Sequence, residues 1–372
     1  MDSVKDIATL SFSFTAGIAA GLAFCSLAMT HGTNILYASG AISFFIATSS
    51  LAYTGQKSPG KIATPLIPIL YFIIGISCAS MDFIGRIGEL DTDTMLTGIT
   101  WRCRSMISSI PFKHESTSSL VNALLTGDRS GLDKATISTF RDSGASHILA
   151  LSGLHLGIIY AILLKITYIF GMKQAAKKLR SLFIITISGL YTIATGAGPS
   201  LVRAFLFITL NETAKIMHRK IPPLRVYCTA LLIQVSLCPS VVKSAGFQLS
   251  YLAMAGIFIL YPKLKAWYPT MEKEQNIAYM ISELPRKIWN GAALAISCQI
   301  FTGPVAWLHF GSFPKYFLLT NLFALPIANI LMTSAISTIL LYAVGICPTI
   351  LIDITDTVAT ILIKTTEIIS SM

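Results

Sequence analysis

His147-Ile148-Leu149-Ala150-Leu151-Ser152-Gly153-Leu154-His155-Leu156-Gly157-Ile158-Ile159-Tyr160-Ala161-Ile162-Leu163-Leu164-Lys165-Ile166-Thr167-Tyr168-Ile169-Phe170 decides the fold class. It is as long as the roughly 20 residues a helix needs to cross about 30 Å of hydrocarbon, and its only full charge is Lys165. Comparable runs lie near 7–29, 34–54, 62–84, 181–196, 199–217, 225–238, 245–261, 289–309, 316–345 and 349–370. The 316–345 run is too long for one crossing and contains Pro326, so a short or re-entrant helix followed by a spanning one is expected there. The pattern predicts an all-α, polytopic transmembrane helix bundle of about 10–12 spans, some of them broken or re-entrant. It divides into an N-terminal three-span segment (1–84), an extracytoplasmic or interfacial amphipathic segment (85–146) and a transmembrane core (147–372).

Composition agrees. Of the 372 residues, 53% are hydrophobic and 12% charged, with a mean hydropathy of +0.69. A soluble globular domain has about twice that charged fraction. The first apolar run is longer than the 7–15 residues of a secretory signal core and is read as a retained span. The seven cysteines stand singly, mostly within apolar runs, so neither a disulfide framework nor a metal-binding pair is expected.

Loop charge sets the orientation. Lys57 and Lys61, Lys173 through Arg180, Lys215 through Arg225, and Lys263 through Lys287 alternate with connections that hold only Lys243 and Lys315. Basic short loops mark the cytoplasm. The expected location is the cytoplasmic (inner) membrane, multi-pass, with the N-terminus cytoplasmic and residues 85–146 outside. The net charge of +11 has this topogenic explanation, so by itself it is weak support for nucleic-acid binding. Within 85–146, Trp101 to Ile110 suits a helix lying in the interface, Ser118 to Leu125 a short helix, and Asp128 to Gly131 a turn.

No zinc-hydrolase cluster, Gly-x-Ser-x-Gly elbow or phosphate loop occurs, and the chain is not expected to be an enzyme or to hold a cofactor. What stands out is a set of polar residues inside apolar spans: His147, Ser152 and His155, then Arg203, Gln248 and Asn321, with His309 ending the ninth span. Such groups are costly in lipid and face a protein interior or a wet cavity. The topology places all of them in the outer half of the membrane, as a polar vestibule. His147 and His155 are eight residues apart, so they can share one side of a helix; with no carboxylate nearby they are read as hydrogen-bonded or cavity-facing groups rather than metal ligands. Arg203 either pairs with headgroups or a neighbouring helix, or presents its guanidinium to phosphate oxygens. Asp353, Asp356, Thr360, Lys364 and Glu367 recur at three or four residues, an amphipathic pattern that suits a cavity lining, internal pairing or the interface.

Ala123-Leu124-Leu125-Thr126-Gly127-Asp128-Arg129-Ser130-Gly131-Leu132, followed by Gly144 through Gly157, resembles the signature of the ComEC family of DNA-uptake competence proteins. Gly198 through Ala204, Gly246 through Ala253 and Asn321 through Pro326 look like later motifs of that family, in the same order. The resemblance spans about 120–345. It implies an inner-membrane channel that imports single-stranded DNA during natural transformation. Larger members carry an OB-like domain near the N-terminus and many add a C-terminal metallo-β-lactamase-like domain; this sequence is expected to have neither, which leaves any nuclease to another polypeptide. The implied partners are single-stranded DNA, membrane lipids, a cytoplasmic ATPase or strand-capturing protein, and a periplasmic DNA receptor. Phe247 and Tyr251, one turn apart beside Gln248, suit base stacking along such a path, though aromatic residues there equally suit helix packing. The alternative is a polytopic transporter or membrane enzyme acting on a small molecule or lipid.

Overall fold

The computed structural model describes residues 2–28, 72, 75, 76, 104–168, 174–268, 277–311, 315–346 and 349–372. The expected second span, most of the third, and Trp101 lie outside them. Every described element is helical. In chain order they are α1 (Asp2–Ala28), α2 (Glu115–Thr126), α3 (Lys134–Asp142), α4 (Ser146–Leu149), α5 (Gly153–Thr167), α6 (Gln174–Ala194), α7 (Pro199–Ile216), α8 (Pro223–Leu237), α9 (Ala245–Ile259), α10 (Tyr261–Lys265), α11 (Ile277–Phe310), α12 (Phe317–Leu319), a π turn (Thr320–Ala324), α13 (Leu325–Ala343) and α14 (Thr349–Ser370). Residues 104–109 are helical as well.

The chain divides into two compact units, Met1–Thr92 with Leu206–Gln248 and Asp93–Phe205 with Leu249–Met372. In the first, α1 packs on α8, and the Ser11 hydroxyl donates to the Cys228 carbonyl at 3.3 Å. Gly17 of α1 lies against the backbone of Phe72; a β-carbon there would overlap the Phe72 carbonyl, so this approach requires glycine.

In the second unit the core forms where α2, α3 and α4 pack on α13 and α14. Leu120, Leu124, Phe140, Leu149, Leu331, Met332, Ala359 and Leu362 are fully or almost fully buried. The α2 helix is the one expected from Ser118 to Leu125, and the Asp128 to Gly131 turn is present. The α3 helix is additional. It is nine residues long, and the Asp133 carboxylate accepts the Thr136 N–H at its start. So short a segment with one buried residue, Phe140, leaves little periodic signal in a sequence.

Three sequence expectations change. Residues 147–170 are not one helix, because α4 ends at Leu149 and α5 begins at Gly153, capped by Ser152. The basic stretch 262–288 is not all loop: α11 starts at Ile277 and runs 34 residues, passing through both Pro285 and Pro304. A proline removes one backbone donor and strains the turn before it, which a long packed helix can absorb. The polar residues of α14 share one side of the helix, as their spacing predicts, but not one environment. Asp356 is buried with Ala359 and Leu362, while Asp353, Lys364 and Glu367 are exposed.

Among the described residues, two helices are long and apolar enough to cross a membrane, Pro285–Phe310 and the continuous Phe317–Ala343. Thr9–Leu22, Gly153–Thr167, Pro223–Leu237 and Ala245–Ile259 are shorter apolar helices. On α14, Ile350, Ile354, Ile361 and Ile368 form an exposed apolar stripe at helical spacing, beside the exposed Asp353, Lys364 and Glu367, while Thr355, Asp356 and Thr366 are buried with Ile352, Ala359 and Leu362.

Candidate functional site

The site is built on the break between α4 and α5. Ser152 adopts extended backbone angles, and its hydroxyl accepts the Leu154 N–H at 3.3 Å. The Ser152 N–H in turn donates to Nδ1 of His155 at 3.0 Å. This is a capping box with histidine in the place usually held by glutamate or glutamine. A backbone N–H can only donate, so Nδ1 must accept and the ring proton sits on Nε2. His155 is 2% exposed. It therefore holds the break in shape from inside the protein.

The break brings the first residue of α5 against α7. A β-carbon on Gly153 would stand 2.9 Å from Nη2 of Arg203 and 3.3 Å from the Ala204 methyl. On its other side, Arg203 Nη1 donates to the carbonyl of Ser250 on α9, and the guanidinium carbon lies 5.9 Å from the ring centre of Tyr251. Cys298 of α11 is within electrostatic reach of the same group and directs its thiol to the Ala253 carbonyl. A glycine surface, a carbonyl and an aromatic face thus hold a guanidinium among four helices. Arg203 takes the expected neighbouring-helix partner, and Tyr251, itself buried, supports it.

The turn before α7 explains how Arg203 is delivered. Gly196 and Ala197 have φ of 85° and 49°, and the Ala197 N–H bonds to the Thr192 carbonyl at 2.8 Å, turning the chain sharply between α6 and α7. Pro199 then starts α7 one turn before Arg203.

His147 and Asn321 meet. The histidine Nδ1 lies 3.0 Å from the Gly144 carbonyl and its ring also pairs with the Asn321 side chain. Asn321 is carried by the π turn, whose Thr320 hydroxyl donates to the Ser143 carbonyl. His147 and His155 belong to different helices, so their eight-residue spacing does not align them. His309 is exposed at the end of α11, with its ring centre 6.2 Å from that of Phe310. Phe247 and Gln248 belong to the first unit. There Phe247 is buried, and Gln248 Nε2 donates to the Val242 carbonyl at 2.8 Å, bracing the entry to its own helix.

The Asp128 turn closes on itself: the Ser130 N–H donates to Oδ1 at 3.0 Å and Arg104 lies 3.1 Å from Oδ2. The Ser130 N–H, aided by Arg104, holds this carboxyl below its usual range despite partial burial. Asp353 and Asp356 answer the segment before α2, a pairing not foreseen from their spacing. The Lys113 N–H donates to Asp356 Oδ2 at 2.8 Å, Lys113 Nζ lies 2.8 Å from Asp353, and His114 Nδ1 lies 3.7 Å from Asp356 Oδ1. The bond to Asp353 raises the Lys113 ammonium above its ordinary value. No group of three or more potential metal ligands occurs among the described residues.

Against known proteins, the competence protein family matches residues 124–372, a stretch that runs from the last turn of α2 through α14 and holds Ser152, Gly153, His155, Arg203, Tyr251 and Asn321. The chain belongs to the competence protein family. The match extends beyond the 345 at which the motif resemblance stopped and takes in α14. ComE operon protein 3 of Bacillus subtilis is 28% identical over 165 residues, which is 44% of this chain and 21% of that protein. Recombination protein 2 of Haemophilus influenzae is 24% identical over 225 residues, 59% of this chain and 28% of that one. The chain thus spans less than a third of the length of either. No solved structure matches.

Proposed function

We propose that this competence family member is a polytopic protein of the cytoplasmic membrane that conducts single-stranded DNA inward during natural transformation. The membrane reading draws support from the two helices long and apolar enough to cross a membrane and from the exposed apolar stripe Ile350, Ile354, Ile361 and Ile368 of α14. Ten to twelve spans with a cytoplasmic N-terminus accommodate the apolar runs and the basic loops. The helices of 15 residues, α5, α8 and α9, are about 22 Å long, so they serve as broken or partial spans.

The observation that carries the reading is Arg203. A nucleic-acid strand brings one charge per nucleotide, and its passage through hydrocarbon needs a polar path that carries cations. Arg203 brings a guanidinium, whose flat fork suits phosphate oxygens, to the meeting of α5, α7, α9 and α11. In this reading the chain conducts the strand and does no chemistry on it. A separate nuclease, an outer DNA receptor and a cytoplasmic motor or strand-capturing protein act beside it.

The test replaces the gene in a transformable host with Arg203→Ala or His155→Ala and follows uptake of labelled DNA at matched protein abundance. Both variants lose uptake; wild-type uptake in both sinks the assignment. A second reading, a transporter or enzyme for lipid, has one observation in its favour: an apolar hollow of about 500 Å³ lined by Ile296, Ile300, Gly303, Pro304, Trp307 and Phe317. A lipid that copurifies in this hollow, in a host whose transformation survives deletion of the gene, would replace the first reading with the second.

A further inference from the structure

Trp267 and Trp289 form a stacked pair at the start of α11, with ring centres 6.4 Å apart and planes inclined by only 19°. Trp289 is fixed from behind, because its indole N–H donates to the Leu264 carbonyl at 2.9 Å. Trp267 lies on the outside of the pair and is 73% exposed, an unusual cost for the largest apolar side chain. Around the pair stand Lys263 and Lys265 on α10, both exposed, and Arg286 and Lys287 one turn or less before Trp289. Lys265 also lies 5.9 Å from the ring centre of Tyr261.

We infer that this pair is a landing platform for single-stranded nucleic acid, on which an unstacked base lies against the open face of Trp267 while the exposed Lys263 and Lys265 draw in the flanking phosphates. The inference rests on the import reading and gives it a second contact point, in a stretch whose charge that reading otherwise assigns to topology. One observation favours a strand over a lipid headgroup: near-parallel stacking presents one flat apolar face beside cations, the combination that binds bases of any sequence.

The experiment uses the full chain in nanodiscs of zwitterionic lipid and a fluorescent oligothymidylate carrying photoreactive 5-iodouracil. The oligonucleotide crosslinks to Trp267, and Trp267→Ala weakens binding about tenfold while Trp267→Phe keeps most of it. Lys263→Gln with Lys265→Gln lowers the slope of log K against log salt by about 1.4. No binding, equal binding by wild type and Trp267→Ala, or quenching of Trp267 by brominated lipid but not by the oligonucleotide overturns the platform; the last outcome makes it a headgroup anchor. Transformation separates this result from the import reading. If deletion of the gene leaves transformation intact, import fails whatever the oligonucleotide does. If deletion abolishes transformation and Trp267→Ala binds like wild type, only the platform fails.

Discussion

The guanidinium of Arg203 lies so close to Gly153 that a β-carbon on the glycine would stand 2.9 Å from Nη2. One residue without a side chain, at the first position of α5, therefore fixes where the charge of α7 sits. Gly153→Ala must push the guanidinium aside or move α5, at an overpacking cost of about 1–3 kcal/mol. The variant is expected to accumulate in the membrane with a lowered melting temperature and to lose DNA uptake as Arg203→Ala does, measured by thermal unfolding in detergent and by transformation frequency.

Much of this arrangement was legible in the sequence. The Gly198 to Ala204 and Ser152 to Gly157 motifs named the residues, and the Gly-Pro turn named the place where α7 begins. What the sequence lacked was the break at Ala150 to Ser152. Ser152 is its one polar residue amid an apolar run, and the cap chemistry of Ser152 and His155 ends one helix and starts the next. The extension of α11 upstream to Ile277 was hidden by Arg286 and Lys287, which read as loop charges although a helix end can carry them. The partners of Asp353 and Asp356 lie more than 200 residues earlier, at a distance no local spacing reports.

The capping box predicts a difference between two substitutions of one buried residue. Gln at position 155 can accept the Ser152 N–H through its amide oxygen, and Ala cannot. His155→Ala should lose about 1 kcal/mol from the missing cap, with a further loss from the cavity, and should speed hydrogen exchange of the Ser152 amide. His155→Gln should retain most of that protection. Equal exchange in the two variants would remove the cap from the account.

At Asp356 a buried carboxylate accepts a backbone donor, and at Asp353 an exposed one meets an exposed lysine. Asp356→Ala leaves the Lys113 N–H without its acceptor and is expected to cost about 1–3 kcal/mol. Lys113→Ala keeps that N–H and loses only a solvated ion pair, so its melting temperature should stay near wild type. Limited proteolysis near Lys113 and Glu115 reads the same contrast, with faster cleavage in Asp356→Ala alone.

Acid should test the Asp128 turn. Its carboxyl is held below the usual value, so the stabilisation it provides is fully present above the unfolded value of about 3.9 and is lost as pH falls through the lower folded one. The melting-temperature difference between wild type and Asp128→Asn is expected to be constant from about pH 7 to pH 5 and to shrink below pH 4. A difference that grows on acidification would reverse the sign and reject the assignment.

The π turn at Thr320–Ala324 inserts one extra residue between α12 and α13, and an α-helix advances about 100° per residue. Thr320 reaches Ser143 and Asn321 reaches His147 within that turn, while Ala328, Leu331 and Met332 face the core below it. The turn works as a phase shifter: it lets one continuous rod keep two unrelated clock positions, one set by the polar site and one by the core. Taking out a single residue there would leave a smoother helix able to satisfy only one of them.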